Sequence, residues 1–499
     1  MIAAALRMLA AGSVLVRYDA LAPREFAELL PGPARFAASV LRLFSGPEAK
    51  AGRPGERLAH AFERLGPVAI KLGQLLSTRA DIFGQQFSDD LSRLKDRLPP
   101  FPLEAAKRDM EAALGRPLDA LFVEIEPAVA AASIAQAHPA VLIDGRKVAV
   151  KVLRPGVEKR IAADVAAMRL GAILVEAAAP PLRRLGPKAF VATVARSLDL
   201  ELDLRLEAAG ASELGEVMAG DGYMTAPAVV WEGVAKRVLT LEWAEGVPLS
   251  TPEALEIEGL DRPELANRVI RAFLAQALDH GVFHADLHEG NLFAAAPARL
   301  MAVDYGIVGR LDPDARRFLA EILWGFLNRD YRRVSEVHFE AGYVPPHQDV
   351  DTFAQALRSI GEPIFGRKAK DVSMGRLLGQ LFEFTELFEM RMRPELVLLQ
   401  KTMVTVEGVA RRIDPANDIW QAAKPVVERW IARELSPPAQ AQRLALRGLR
   451  LFEALEARLQ TPTTPTPERT DQMRGLWLAL GLAAAASVFG AAALARLFF

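Results

Sequence analysis

An acidic residue, an amide and a second acidic residue occur at a spacing that suits phosphoryl transfer. Asn291 comes five positions after Asp286, and Asp304 comes thirteen positions after Asn291. The apolar run 300–303 leads into Asp304 and predicts a short buried strand. Phosphoryl transfer needs a carboxylate to orient the nucleophile and oxygen ligands for Mg²⁺. We therefore expect Asp286 to orient the nucleophile, and Asn291 and Asp304 to bind the metal. The alternative is that these residues simply cap turns.

A lysine lies on a predicted strand from which it could reach a phosphate. Asp144-Gly145 separates two apolar runs, which is a strong hairpin signal, and the second run is 147–153. Lys151 lies on the face of this strand opposite the valines. The sequence Val-Ala-Val-Lys matches the strand that carries the ATP-binding lysine of kinases.

The segment before the hairpin is rich in alanine where kinases have a glycine-rich loop. Its residues are Ala130, Ala131, Ala132 and Ser133. Alanine restricts the backbone and prevents the closest approach to phosphates that glycine permits. We therefore expect nucleotide binding to differ from that of ordinary kinases.

Acidic residues further along the chain offer a partner for Lys151. The stretch 198–207 predicts a helix with acids every four residues on one face and leucines on the other. We expect Glu207 to pair with Lys151 across an insertion, which leaves Glu201 and Asp203 for another partner. The alternative is an exposed acidic face.

Three further segments frame this candidate site. A strand that ends at Glu242 predicts a hinge whose backbone groups hold adenine. A helix over 261–280, with Gly281 as its stop, delivers the loop that carries Asp286. Near the N-terminus, Lys71 and Gln74 share one face of a predicted helix. A solvated amphipathic helix is the alternative for that last segment.

Composition excludes several classes of function. Lys and Arg (61) nearly balance Asp and Glu (62) over 499 residues, so the charge does not indicate nucleic-acid binding. The chain has no Cys, which excludes disulfides, thiol nucleophiles and Cys-ligated zinc. The length suggests about three domains and allows a large core.

The C-terminal region reads as a linker followed by an apolar segment. Thr461–Pro467 alternates Thr and Pro and predicts a linker. Gly475–Ala495 is a charge-free run of 21 residues, which is long enough to span a bilayer. We expect a transmembrane helix there and place the protein at the inner membrane with its catalytic domain in the cytoplasm. A buried or interfacial helix is the alternative.

Taken together, these residues resemble the UbiB/AarF family of atypical protein-kinase-like proteins linked to coenzyme Q (ubiquinone) biosynthesis. The resemblance covers roughly Tyr18 to Pro425. Its most specific parts are four short blocks: Lys71, Gly73 and Gln74; Ala130 to Ser133; Glu201 and Asp203; and Phe283 to Asp286.

The resemblance implies an α+β, two-lobed protein-kinase-like fold with an N-terminal helical extension over the active site. Lys151 would contact the ATP phosphates and pair with Glu207, while Lys71 and Gln74 would project into the site and Lys71 would meet Glu201. The implied domains are the helical extension (1–115), the N-lobe with its insertion (116–245), the C-lobe (246–435), a helix and linker (436–474) and the transmembrane helix (475–495).

The resemblance also implies an activity and partners. Because the extension occludes the groove for a peptide, an Mg²⁺-dependent ATPase or small-molecule kinase is expected rather than a protein kinase. Its partners would be ATP, membrane lipid or quinone precursors and enzymes of quinone biosynthesis, with no nucleic acid, and a homodimer is one expected assembly. The alternative is a nucleotide-switched scaffold without catalysis.

Three departures from the family pattern stand near or before the site. Glu289 replaces the usual Pro beside the metal ligands, Tyr305 replaces Phe, and Lys95 replaces Gln in a Gln-Asp pair. The tail also has room for one span where relatives often have two. We expect Glu289 to perturb metal affinity and Tyr305 to be harmless.

Overall fold

The computed structural model describes residues 2–21, 23–25, 32–50, 52–77, 85–92, 94, 99–178, 186–365, 384, 387–390 and 394–434. Met1–Ile431 forms one compact unit. Of the second unit, Ala432–Phe499, the structure describes only 432–434. The predicted helix and linker at 436–474 therefore lie outside the described residues, and the proposed domain boundaries stay predictions.

Among the described residues, six α-helices precede the first strand. They are α1 (Ile2–Arg17), α2 (Gly32–Leu41), α3 (Pro54–Leu65), α4 (Pro67–Ser77), α5 (Gln85–Ser92) and α6 (Leu103–Leu114). Pro begins both α3 and α4, where a missing N–H has no helical partner to lose. Gly66 ends α3 with a φ of 98°, a conformation that favours glycine. Helices α3, α4 and α5 share a core built on Phe62, Ile70 and Leu91.

A five-stranded antiparallel sheet follows. Its strands are β1 (Phe122–Ile125), β2 (Ala130–Ala131), β3 (Ala135–Leu142), β4 (Lys147–Leu153) and β5 (Val238–Glu242), in the order β1-β3-β4-β5 with β2 paired to β3. The predicted hairpin is confirmed as β3 and β4. The three valines of β4 are fully buried against α6, so Lys151 faces the opposite side of the sheet.

In the described parts of the chain between β4 and β5 there are three α-helices: α7 (Val157–Ala178), α8 (Pro187–Glu201) and α9 (Leu204–Asp221). The prediction of one helix over 198–207 is wrong, because one helix ends at Glu201 and the next begins at Leu204. Asp203 caps α9 instead, and its Oδ1 accepts the backbone N–H of Arg205 at 3.2 Å. The acids of this stretch therefore do not share one helical face. Helix α1 packs on α7, and α4 packs on α7 and α8.

The C-terminal lobe is mainly helical with two small sheets. Helix α10 (Arg262–Ala275) continues as a π-helical turn, Gln276–His280, to the stop predicted at Gly281. The strands are β6 (Val247–Pro248), β7 (Val282–His284), β8 (Leu292–Ala295), β9 (Arg299–Ala302) and β10 (Val308–Arg310). Strand β7 pairs with β10, and β8 lies between β6 and β9. The predicted strand before Asp304 is thus confirmed.

Where the structure describes the rest of this lobe, it has five α-helices: α11 (Pro313–Leu327), α12 (Tyr331–Glu340), α13 (Val350–Phe365), α14 (Pro394–Ile413) and α15 (Ile419–Glu434). Helix α14 packs on α10 and beside β10. It therefore lies beside the strand that pairs with β7, the strand directly before the predicted catalytic loop.

The predicted fold class needs one correction. In the part of the chain that the structure describes, every helix is too short or too polar to cross a bilayer. Helix α7, for example, has 22 residues but carries six charged side chains. The run 475–495 lies outside the described residues. The two-lobed mixture of helices and strands stands, whereas the C-terminal transmembrane helix has no support and is withdrawn.

Gly73 allows α4 to approach α3 closely. A Cβ at this position would lie 2.7 Å from a ring carbon of Phe62 and would also meet Leu94. We expect Gly73→Ala to lower the free energy of unfolding by about 1–3 kcal/mol, because it overpacks this core. Urea unfolding of the full chain measures the loss.

Gly171→Ala in α7 is the matched control. Its Cβ would meet only the sulfur of Met8, at 4.0 Å. Replacing a helical glycine in open space should stabilise the protein by about 0.5–1 kcal/mol. Equal effects of the two substitutions would contradict the packing role of Gly73.

Candidate functional site

Lys151 meets two carboxylates that come from distant parts of the chain. Its Nζ donates to Oε1 and Oε2 of Glu207 at 2.7 and 2.9 Å, and to Oδ1 of Asp304 at 3.3 Å. Strand β4 supplies the lysine, helix α9 supplies Glu207, and the segment after β9 supplies Asp304. The predicted pair of Lys151 with Glu207 is present across the α7–α8 insertion. The three groups that the sequence assigned to one site therefore converge.

The charges in this cluster shift one another's pKa values. Burial favours the neutral amine of Lys151, but the two carboxylates outweigh it and raise the lysine's pKa. The positive charge of Lys151 lowers the pKa of Asp304 to about 2. Burial raises the pKa of Glu207 to about 7, although Lys151 opposes this shift. One ammonium therefore serves two acids, and the more exposed Asp304 keeps its charge more readily.

Backbone hydrogen bonds hold the loop that carries Asp286 and Asn291. The side-chain amide of Asn291 donates from Nδ2 to the carbonyl oxygen of Asp286 at 3.0 Å. The carbonyl oxygen of Asn291 accepts the N–H of Val303 at 2.9 Å, so the loop is joined to the residue before Asp304. Asn291 is buried, whereas about a third of the Asp286 side chain is exposed. Oδ1 of Asn291 accepts none of these bonds, and the carboxylate of Asp286 lies 3.7 Å from Nε2 of His288.

His284 fixes the two acidic segments relative to each other. Its Nε2–H donates to the carbonyl oxygen of Val303 at 3.1 Å, and its Nδ1 accepts the N–H of Asp286 at 3.1 Å. Burial lowers the pKa of this fully buried imidazole, so it stays neutral and can both donate and accept. The histidine therefore positions the backbones before Asp286 and Asp304.

Asp304 leaves β9 in an unusual backbone conformation. Its φ of 62° lies in the left-handed region, which non-glycine residues adopt rarely and often at functional sites. The next residue, Tyr305, is buried and its hydroxyl donates to the carbonyl oxygen of Ala302 at 2.7 Å. Because the extra hydroxyl is satisfied, the replacement of Phe by Tyr is accommodated here.

The alanine-rich segment forms the turn that links β2 to β3. Ala130 and Ala131 pair with Ala137 and Gln136, and the N–H of Ala132 donates to the carbonyl oxygen of Ala135 at 2.8 Å. Ser133 is buried in the turn. Ala137 also pairs with Lys151 on β4, so the turn begins next to the lysine strand.

The predicted hinge residue, Glu242, ends β5 at the edge of the sheet. Its Oε1 accepts a hydrogen bond from Arg146 at 2.9 Å, and its N–H donates to the carbonyl oxygen of Ala228 at 2.9 Å. The N–H of Trp243 donates to the carbonyl oxygen of Lys147 at 3.0 Å. Both N–H groups therefore serve the N-lobe, and the residues after Trp243 begin the connection between lobes.

The N-terminal extension reaches the end of α8. Lys71 on α4 forms an ion pair with Glu201, the last residue of α8. Asp203 does not join this pair; its carboxylate binds Arg205 at 2.6 Å. Among the residues that the structure describes, no ion pair links Lys71 to Asp286 or to Asp304. Gln74 lies one turn further along α4, and Gly73 serves the packing of that helix.

Several residues of the site were not found from the sequence. Arg412 on α14 forms an ion pair with Glu289, beside Asn291. Arg154 donates to the carbonyl oxygen of Ala132. The charge of Glu289 indicates that it needs a cationic partner. Arg412 lies more than a hundred positions away in the sequence, so local spacing could not identify it.

The donor set fits a magnesium ion that is shared with a phosphate. In the described part of the chain, no group of three or more His, Asp or Glu side chains converges on one point. Mg²⁺ needs few protein ligands when phosphate oxygens and water complete its shell. The ionised carboxylate of Asp304 and Oδ1 of Asn291 are oxygen donors of the required kind.

Comparisons with known proteins agree with this geometry. Residues 93–338 match the ABC1 atypical kinase-like domain, and residues 357–418 match the UbiB helical domain. The chain is 41% identical to the probable protein kinase UbiB of Marinobacter nauticus, over 82% of this chain and 75% of that protein. It is 40% identical to the probable protein kinase UbiB of Xylella fastidiosa strain 9a5c, over 77% of this chain and 71% of that protein.

A solved structure supports the fold. The erythromycin complex of a Mycobacterium tuberculosis protein superposes with a TM-score of 0.52, covering 79% of this chain and 98% of that one. At 21% sequence identity this likeness speaks for the fold alone. The kinase-like architecture and the resemblance inferred from the sequence are thus confirmed. The chain belongs to the UbiB family of ABC1 atypical kinase-like proteins.

Proposed function

We propose that this protein binds Mg-ATP between its two lobes and acts as an atypical kinase or ATPase that supports ubiquinone biosynthesis. The observation that carries the proposal is the convergence of Lys151, Glu207 and Asp304 beside the loop of Asp286 and Asn291. Family membership supports the role in ubiquinone biosynthesis.

The groups of the site divide the work of phosphoryl transfer. Lys151, held by Glu207, would bind the nucleotide phosphates. Asp304 and Asn291 would hold Mg²⁺, which supplies positive charge to the transferring phosphoryl group. Asp286 would orient the attacking hydroxyl or water, since its carboxylate is accessible and its backbone is fixed by His284. The side chains of Asp304 and Asp286, which would act on the metal and on the nucleophile, are both partly exposed to solvent.

The nucleotide's base would lie at the connection between the lobes. Because the N–H groups of Glu242 and Trp243 are already bonded, we assign adenine to backbone groups that follow them. The turn of Ala130 to Ser133 would cover the phosphates from the side of β3. With a Cβ at each position, this turn keeps a larger distance from phosphate than a glycine-rich loop.

The acceptor is proposed to be water or a small lipid, such as a quinone precursor. Helix α4 packs against α7 and α8, and Lys71 binds Glu201 at the entrance to the helix that carries Glu207. This extension is the feature expected to exclude a peptide, although the two UbiB relatives carry the name of probable protein kinases. Enzymes of ubiquinone biosynthesis are the proposed protein partners.

Asp304→Asn tests the central assignment. The amide keeps an oxygen donor but lacks the negative charge of the carboxylate, so we expect Mg-ATP affinity to fall about tenfold or more and ATP turnover to be lost. Titration with Mg-ATP, phosphate release and the quinone profile of a rescued deletion strain measure the three consequences.

Asp314→Asn is the control, because this aspartate is exposed in the first turn of α11. It should bind nucleotide and rescue quinone synthesis like the wild type. If wild-type protein shows no ATP turnover and Asp304→Asn binds Mg-ATP as tightly as wild type, the proposed function is wrong. If Asp286→Asn abolishes turnover and still rescues quinone synthesis, catalysis is not what the pathway needs.

Glu207→Gln tests the electrostatics of the cluster. The pKa of Glu207 rises from its ordinary value of 4.5 to about 7 on folding. Between these values the folded protein keeps a proton that the unfolded chain has released, so stability falls as pH rises through this window. We expect the stability of wild type relative to Glu207→Gln to decrease from pH 4.5 to pH 7. Urea unfolding at several pH values, without nucleotide or Mg²⁺, measures it.

Glu213→Gln, on the same helix, provides the control. Its partner Arg310 lowers the pKa of Glu213 below 4.5, so its contribution is present above that value and is lost only in more acidic solution. The stability of wild type relative to Glu213→Gln should therefore stay constant between pH 5 and pH 8. A constant difference for Glu207→Gln as well would refute the raised pKa.

A further inference from the structure

Arg154 connects the alanine-rich turn to a segment outside the sheet. It follows β4 directly, three positions after Lys151. Its Nε donates to the carbonyl oxygen of Ala132 at 2.9 Å, and its Nη2 donates to that of Pro99 at 3.0 Å. Its backbone N–H donates to the carbonyl oxygen of Ile134 at 2.8 Å. Arg154 thus holds both ends of the turn and ties it to the segment 99–101.

Gln136 makes a second connection to the same segment. Its Oε1 accepts the N–H of Phe101 at 2.9 Å, and its Nε2 donates to the carbonyl oxygen of Phe101 at 3.1 Å. Nε2 also donates to Nε2 of His138 at 2.8 Å, and Nδ1–H of His138 donates to the carbonyl oxygen of Glu126 at 2.8 Å. Burial lowers the pKa of His138, so the ring is neutral and can accept. This buried network fixes Phe101 against β3.

The segment 99–101 is a rigid support. The side chain of Phe101 packs on the apolar core between α6 and the sheet, together with Leu103. The guanidinium of Arg154 lies 5.7 Å from the centroid of the Phe101 ring, within range of a cation–π contact. The turn is therefore anchored to the core of the N-terminal lobe and not only to its own strands.

An anchor of this kind replaces what glycines do in other nucleotide-binding loops. A glycine-rich loop can wrap around phosphates because its backbone is free to adapt. Ala130 to Ser133 lack that freedom, so the position of the turn must be set by outside contacts. Arg154 provides them from the strand that also carries Lys151.

We propose that Arg154 is a positioning residue of the nucleotide site, which holds the alanine-rich turn beside Lys151 and thereby sets the affinity for the nucleotide. This inference rests on the proposed function. The planar guanidinium donates in two directions from one rigid group, which the ammonium of lysine cannot reproduce. Its donors face the carbonyl oxygens of Ala132 and Pro99, so Arg154 acts through the turn.

The test compares Arg154→Met and Arg154→Lys with the wild-type full chain. Titration gives the dissociation constant of Mg-ATP, turnover gives KM and kcat, and hydrogen exchange without nucleotide reports the amides of 130–135. We expect both variants to bind Mg-ATP about tenfold more weakly, which corresponds to about one charged hydrogen bond. KM should rise more than kcat falls, and the amides of 130–135 should exchange faster.

Arg332→Met is the matched control, because Arg332 is exposed and makes ion pairs with Glu336 and Asp351 on the C-terminal lobe. It should leave affinity and exchange at 130–135 unchanged. If Arg154→Lys binds like the wild type, positive charge suffices and the positioning role is overturned. Wild-type affinity in Arg154→Met overturns it as well.

Phe101→Leu serves if Arg154→Met does not fold. It removes the ring beneath the guanidinium and keeps the backbone bonds to Gln136, so a smaller loss of affinity and faster exchange at 130–135 are expected. Unchanged affinity and exchange would overturn the proposal. Failure of the wild type to bind Mg-ATP would instead refute the proposed function, while the exchange rates would still show whether Arg154 holds the turn.

Discussion

Lys151 stands between Glu207 and Asp304, and this one ammonium has to neutralise two carboxylates. Burying charges away from water is costly unless they are paired, so the geometry of three chain segments depends on this cluster. The two carboxylates outnumber the single cation. Burial raises the pKa of Glu207 to about 7, and the positive charge of Lys151 lowers the pKa of Asp304 to about 2. A divalent cation at Asp304 would relieve that excess of negative charge. The site is thus electrostatically suited to a metal-bound phosphate.

Neutral groups give this charged cluster its precision. His284 donates to the backbone before Asp304 and accepts from the backbone of Asp286, and Asn291 joins the same two segments through its own amide and carbonyl groups. The donors and acceptors of these bonds are backbone amides, a side-chain amide and a neutral imidazole, so none of them carries a net charge. Because α14 packs beside β10 and Thr402 donates to the carbonyl oxygen of Ala285 at 3.0 Å, the loop is also held from the helical side.

Local sequence patterns predicted much of this site because the functional side chains lie on, or within a few residues of, helices and strands that such patterns reveal. The hairpin of β3 and β4, the strand before Asp304 and the helix before Gly281 all follow from periodicity and stop signals. Periodicity gave a wrong prediction at 198–207. The helical spacing of leucines and acids continues through Leu202, but Asp203 caps a new helix at this point. Contacts such as Glu289 with Arg412 depend on tertiary packing, which a single sequence does not show. Hydropathy likewise suggested a span at 475–495 that has no support among the described helices.

The break at Leu202 places the contact with the N-terminal extension at the end of one helix and not in the middle of a longer one. Lys71 binds Glu201 at the end of α8, and only Leu202 and the cap Asp203 separate that contact from α9, which carries Glu207. The cap interrupts the helix between α8 and α9, so these two helices need not share one axis, as the turns of a continuous helix would. The extension therefore contacts the chain just before the helix that carries Glu207. Lys71 and Glu201 thus meet close in sequence to the helix that carries Glu207, while among the described residues no ion pair joins Lys71 to Asp286 or Asp304.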